Sequence, residues 1–134
     1  MKKVNIACVI DDDPIFVFGV KKVMDMVDFC HRLLVFSNGQ EALDNFKNMI
    51  SSNSDFPDVI LLDLNMPILD GWQFLEQFTQ IPFCKKFTLY IASSSVDPED
   101  TLRAESYEIV KDYINKPISL NKLKTILNEL KNAG

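Results

Sequence analysis

Short apolar runs alternate with amphipathic stretches from one end of the chain to the other. Val4 to Ile10 is rich in β-branched residues and stops at Asp11-Asp12-Asp13-Pro14, where the proline suits the first turn of a helix. Phe16, Val20, Val23, Met24 and Val27 then recur at helical spacing. Leu33 to Phe36 reads as a second strand, and Ser37-Asn38-Gly39 as the cap of a helix whose inner face is Ala42, Leu43, Phe46, Met49 and Ile50. A polar loop, Ser51 to Asp55, precedes the unbroken apolar run Val59-Ile60-Leu61-Leu62, as expected of a strand covered on both faces. Phe74, Leu75 and Phe78 mark a third helix bounded by Pro82, and Phe87 to Ala92 a fourth strand. Asp97-Pro98-Glu99-Asp100 offers an N-cap, a proline at the first helical position and acidic residues in the first turn. It opens a fourth helix with a thin apolar face of Leu102, Ala104 and Tyr107. Asp112 to Asn115 is a short fifth strand ending at Lys116-Pro117, and Leu123, Ile126, Leu127 and Leu130 form a last amphipathic helix.

Five β-α units in succession predict a parallel sheet with helices on both faces. In such a sheet the chemistry gathers beyond the carboxyl ends of the strands. The 134 residues suit one domain spanning 1–134, with no effector domain expected. A net charge of −5 and a pI near 4.8 argue against a nucleic-acid-binding domain, and no apolar run is long enough to span a bilayer. Cys8, Cys30 and Cys84 lie far apart and read as buried thiols in a reducing cytoplasm.

The residues that follow the strands carry the functional signal. Asp11, Asp12 and Asp13 follow the first, Asp63 the third, Ser93 the fourth and Lys116 the fifth. Carboxylates brought together repel one another and need a cation or a proton. Mg2+ prefers oxygen ligands and typically takes one or two carboxylates together with a phosphate oxygen. A lysine adds a fixed positive charge, and a serine hydroxyl can hydrogen-bond a phosphoryl oxygen. Together these groups suit a phosphoryl group attached to one of the carboxylates.

Ile10-Asp11-Asp12-Asp13-Pro14, Leu61 to Gly71, Ala92-Ser93-Ser94 and Tyr113-Ile114-Asn115-Lys116-Pro117, in this order and at these intervals, resemble the receiver domain of two-component response regulators, in its single-domain, chemotaxis-regulator-like form. The resemblance covers essentially the whole chain. It implies an α/β fold of the (βα)5 flavodoxin-like kind, a five-stranded parallel sheet with helices on both faces and strand order 2-1-3-4-5. It also implies that Asp63 accepts a phosphoryl group from a sensor histidine kinase or a histidine phosphotransfer protein. Mg2+ would be held by Asp12, Asp63 and the Asn65 backbone carbonyl, with Asp11 acting largely through water. Ser93 and Lys116 would bind the phosphoryl oxygens, Lys116-Pro117 would be a cis peptide, and Tyr113 would be a switch aromatic responding to Ser93. Asn65 and Ser95 would tune the lifetime of the aspartyl phosphate. The expected output is a phosphorylation-dependent surface change read by a downstream protein, or passage of the phosphoryl group onward, in a cytoplasmic protein without membrane insertion.

Plainer roles account for the remaining candidates. His31, ahead of the second strand, reads as solvated or capping, and Trp72 and the ten phenylalanines as packing. Two other functions share parts of the pattern. A haloacid-dehalogenase-type phosphatase also uses an aspartyl phosphate and Mg2+, but it needs an acid two positions after the nucleophile, where this chain has Asn65. A flavodoxin-like nucleotide-binding module wants a Gly- or Ser/Thr-rich loop after the first strand, where three aspartates would repel phosphate.

Overall fold

The computed structural model describes residues 3–82 and 85–133. Strands and helices alternate strictly: β1 (Val4–Ile10), α1 (Pro14–Met26), β2 (Cys30–Phe36), α2 (Gly39–Ser51), β3 (Val59–Leu62), α3 (Gly71–Phe78), β4 (Thr88–Ser93), α4 (Pro98–Glu105), β5 (Val110–Asn115) and α5 (Leu120–Ala133). The strands form one parallel sheet in the order β2-β1-β3-β4-β5. Both the architecture and the strand order agree with the expectation.

Alternation of side chains across the pleat divides the interior into two cores. Cys8, Ile10, Ile60, Leu62, Leu89 and Ile91 face one side, where they meet α2, α3 and Ala104 of α4. This core is aromatic: the Phe46 ring lies 4.9 Å from Phe56, 5.6 Å from Phe78 and 5.8 Å from Phe36, centroid to centroid. Ala7, Val9, Val59, Leu61, Tyr90 and Ala92 face the other side, against Val20 and Met24 of α1 and Leu123, Ile126 and Leu127 of α5. The helices start where their caps dictate. Asp13, Asn38 and Asp97 each accept an amide of the first turn, and Asp70 forms a reciprocal capping box with Gln73.

Several expectations are corrected. β2 begins at Cys30, so His31 lies within the strand and not ahead of it. The extra residues are recruited by backbone pairing with β1 (Val4↔Cys30, Ile6↔Arg32), which an apolar pattern does not report. β5 likewise begins at Val110, and β4 is shifted by one residue to Thr88–Ser93. Leu102 is 65% exposed, whereas Ala104 is buried. Residues two apart on a helix point to opposite sides, so they cannot share a face. The same geometry leaves Phe18 64% exposed, two residues before buried Val20, so this phenylalanine does not pack in the core. Cys8 is buried and Cys30 only half-buried, both free thiols raised above the ordinary value by burial; Cys84 lies outside the described residues.

Candidate functional site

Strand register assembles the site. β1 and β3 pair through Ile10↔Leu62, so the next residue of each strand, Asp11 and Asp63, emerges at the same rim. The Asp63 amide donates to the Ile10 carbonyl at 2.9 Å, and the Asp11 amide to the Phe36 carbonyl at 2.9 Å. β4 and β5 pair through Ser93↔Asn115, and the Lys116 amide donates to the Ser93 carbonyl at 2.9 Å. From β1 the chain runs outward to β2 on one side and returns through β3 on the other. Asp11 and Asp63 therefore sit at the point where strand order reverses, the crevice that open α/β sheets offer to ligands.

Three aspartates in a row are given three different tasks. Asp13 caps α1, its carboxylate accepting the Ile15 amide at 3.0 Å. Asp11 is buried and accepts the Asp13 amide at 2.9 Å. Asp12 is exposed at the mouth, and carboxylate oxygens of Asp11, Asp12 and Asp63 all lie within 4.8 Å of one another. Lys116 reaches between them, with Nζ 2.7 Å from Asp11 and 3.3 Å from Asp63. Its ammonium also rests 4.3 Å from the centre of the Phe16 ring, a cation-π contact from the first turn of α1 that the sequence pattern did not single out.

The electrostatics follow from this crowding. Burial pushes the Asp11 carboxyl above its ordinary value, while Lys116 pulls it down. Burial raises Asp63 as well, the Asp11 charge adds to the rise, and Lys116 opposes it. Burial alone would lower Lys116, but the two carboxylates outweigh it and the amine is held above its usual value. One cation thus faces three carboxylates. Among the described residues, the buried Oδ2 of Asp11 has no partner except that ammonium. A donor set of hard carboxylate oxygens, short of positive charge and open at Asp12, fits a divalent cation of the Mg2+ or Mn2+ kind.

Beside this cluster, Ser93 is fully buried and its hydroxyl accepts the Ser95 amide at 3.1 Å. The half-buried Tyr113 donates its hydroxyl to the Ser95 carbonyl at 3.1 Å. The Ser95 hydroxyl is turned toward α4, donating to Asp100 at 2.6 Å. Asn65 is exposed, two residues beyond Asp63, and Lys116-Pro117 is cis. The structure therefore brings Asp11, Asp12, Asp63 and Lys116 together, with Ser93, Ser95 and Tyr113 linked alongside.

Two supporting features escaped the sequence reading. Gly71 does more than turn the chain: a Cβ there would run into the Asp63 carbonyl and come within 2.9 Å of the Leu64 Cα, so only glycine lets α3 start against the end of β3. Between them, Ile68 has φ of 71°, with the Leu69 amide donating to the Pro67 carbonyl at 2.7 Å. This is a γ-turn centred on a β-branched residue, a strained conformation.

Comparison with known proteins agrees with this geometry. The family profile described as response regulator receiver domain matches residues 7–128. The chain is 25% identical to the probable methanogenesis regulatory protein FilR2 of Methanothrix harundinacea, over 94% of this chain and 81% of that protein. It is 30% identical to response regulator Rcp1 of Synechocystis, over 78% of this chain and 71% of that one. It also spans about a third (32% and 33%) of longer curated relatives. A two-component response regulator from Cytophaga hutchinsonii superposes with a TM-score of 0.87 at 28% identity, covering 98% of this chain and 99% of that one. The Mn(2+)-bound form of Rcp1 superposes with a TM-score of 0.74 at 23% identity, covering 96% and 92%.

Proposed function

The chain belongs to the response regulator receiver domain family of two-component signalling, and from that premise we propose that it is a phosphoacceptor whose Asp63 takes a phosphoryl group from a phosphohistidine protein. One observation carries the reading: the Lys116 ammonium lies 2.7 Å from Asp11 and 3.3 Å from Asp63, with Asp12 within 4.8 Å of both. An oxygen of the Asp63 carboxylate attacks phosphorus, forming an O–P bond as the N–P bond to the donor imidazole breaks and the electron pair leaves with the ring nitrogen. Like charges oppose that approach. Lys116 offsets the repulsion by its place beside the attacking oxygen and stabilises charge on the transferring oxygens. Asp11, Asp12, Asp63 and the Asn65 carbonyl would hold Mg2+, which supplies further charge neutralisation when bound. Rcp1, a relative by sequence and fold, is known in a Mn(2+)-bound form.

Once phosphorylated, Asp63 carries about −1.5 to −2 charges and new acceptor oxygens. The buried Ser93 hydroxyl, at the end of β4, would donate to a phosphoryl oxygen, and drawing it inward pulls on Ser95 and, through it, on Tyr113. That displacement is the surface change a downstream protein would read. Asn65, exposed two residues beyond Asp63, and Ser95, bonded through its amide to Ser93, would tune phosphate lifetime. The domain as a whole, 1–134, acts as the signalling unit.

The donor's approach also has a physical basis. Ile15, Phe18, Lys22 and Met26 fall on one exposed line of α1, beginning directly after the acidic run at the mouth. Large apolar side chains on the solvent face of a helix mark an interaction surface, and contiguity with the site supports the phosphodonor as its occupant. The catalytic-phosphatase alternative lacks support, since Asn65 supplies no proton at the position where that chemistry needs an acid.

The test is labelling by acetyl phosphate with Mg2+, read by mass. The native protein should gain one phosphoryl group and Asp63→Asn none; equal labelling of the variant would mean the acceptor lies elsewhere. Transfer from a phosphohistidine protein should fall about tenfold more in Phe18→Glu than labelling by acetyl phosphate does, as expected for an aromatic at the centre of a docking surface.

A further inference from the structure

Ser95 is the hub of the loop between β4 and α4. Its amide donates to Ser93 Oγ at 3.1 Å, its carbonyl accepts the Tyr113 hydroxyl at 3.1 Å, and its own hydroxyl donates to Asp100 Oδ2 at 2.6 Å while accepting the Asp97 amide at 3.3 Å. The hydroxyl-to-carboxylate bond is the shortest of the four and belongs to the strong, charge-assisted class. Asp100 is half-buried in the first turn of α4, a helix that buries only Ala104. Neither the cap of α4, which is Asp97, nor the acidic cluster around Asp63 requires Asp100.

We infer that Asp100 is a positioning residue: by accepting the Ser95 hydroxyl it latches the β4–α4 loop in its resting form and so limits how readily Asp63 is phosphorylated. The inference rests on the reading of Asp63 as the phosphoacceptor. Ser93 cannot move toward a phosphoryl oxygen without drawing on Ser95, because the Ser95 amide is bonded to its hydroxyl. Ser95 in turn is tethered to α4 through Asp100. The move therefore either breaks that bond or drags the N-terminal turn of α4 along. A bond present only in the resting form weakens the apparent affinity for anything that binds the moved form, in proportion to the population it withholds.

Beryllofluoride, a phosphoryl mimic, measures this directly. Its affinity at saturating Mg2+ is to be determined by calorimetry for the native protein, Asp100→Ala, Asp100→Asn, Ser95→Ala and the Ser95→Ala/Asp100→Ala double variant, with thermal melting of each ligand-free protein. Removal of the latch should tighten binding about three- to tenfold in both single alanine variants, the effect of one hydrogen bond to a charged group. The double variant should bind no tighter than either, and both singles should melt below the native protein. Asp100→Asn keeps an oxygen able to accept the hydroxyl and should lie closer to native. A residue of merely structural importance would lower the melting temperature without tightening binding.

Tightening in Asp100→Ala and Asp100→Asn alike, with Ser95→Ala at the native value, would mean that loss of a negative charge is responsible and would overturn the latch. Equal affinities in all five proteins would overturn it too, leaving the Asp63 reading intact. Absence of binding by the native protein would bring down the Asp63 reading and the latch with it.

Discussion

The two regions that meet at the rim are held together by opposite means. Around β1, β3 and β5 the constraints are ionic and buried: two carboxylates at 3% and 5% exposure share one ammonium, backed by strand pairing on both sides and by Gly71 closing against Asp63. Around β4 and α4 the constraints are hydrogen bonds centred on one serine. Val96 and Leu102 face solvent there, and α4 buries a single residue where α2 and α3 bury four each. The first region is rigid because moving any member strands a charge away from its partner. The second is held by a few hydrogen bonds between part-buried groups, and little apolar surface holds the helix down, so breaking one bond is enough to release it. A cluster of mutually constrained charges thus sits against a segment held by hydrogen bonds and little apolar packing.

Removing the shared cation should break the rigid side most severely. Lys116→Met leaves Asp11 and Asp63 buried and uncompensated, and metal-free stability should fall by about 3–5 kcal/mol in urea denaturation. Saturating Mg2+ should recover much of that loss. A loss below about 1 kcal/mol would show that the ion pairs are as dispensable as exposed ones.

Gly71→Ala probes the same side through the backbone. Its Cβ meets main-chain atoms of Asp63 and Leu64, which cannot swing aside, so stability should drop by about 1–3 kcal/mol and Mg2+ affinity should fall with it. Unchanged Mg2+ affinity would separate the packing of α3 from the geometry of the site.

The pH profile sharpens the contrast. Burial raises the Asp11 and Asp63 carboxyls above their unfolded values, so their contribution to stability is fully present below the ordinary carboxylate range and is lost as pH rises through the raised values. Lys116 is also raised, so its contribution persists through neutrality and is lost only in the alkaline range. Metal-free protein should therefore melt lower at neutral than at mildly acidic pH, and Mg2+ should close the gap. At a hundredfold excess over its dissociation constant a ligand of the folded state adds about 2.7 kcal/mol. Melting that rises monotonically to neutrality without metal would contradict the crowding of charge.

The smallest effect belongs to the hydrogen-bonded side. Tyr113→Phe deletes one hydroxyl bonded to the Ser95 carbonyl and should cost about 0.5–1.5 kcal/mol, with little change in Mg2+ affinity. A fall in Mg2+ affinity comparable to that of Gly71→Ala would erase the distinction between the two regions.

Much of this was readable in the chain. The apolar runs of β1, β3 and β4 became strands because the interior of a parallel sheet buries both faces, and the groups that follow the strands are legible in the sequence itself. A cap within Ser37-Asn38-Gly39 and the cap at Asp97 were equally legible, since capping is a local property. What escaped were relations between segments. That Asp13 caps a helix while its neighbours Asp11 and Asp12 join the acidic cluster depends on how α1 leaves the rim. Phe16 beneath Lys116, Asp100 against Ser95 and Gly71 against Asp63 are contacts between elements distant along the chain or turned by a helix, and no periodicity reports them.

Local order along this chain follows from short-range chemistry: the spacing of apolar residues, the capping side chains and the prolines set which segments are strands and which are helices. The convergence of Asp11, Asp63 and Lys116 on one rim, and the division between a region held by buried charge and one held by hydrogen bonds, arose with the parallel register. Only when strands pair do residues more than fifty positions apart come within reach of each other's charge.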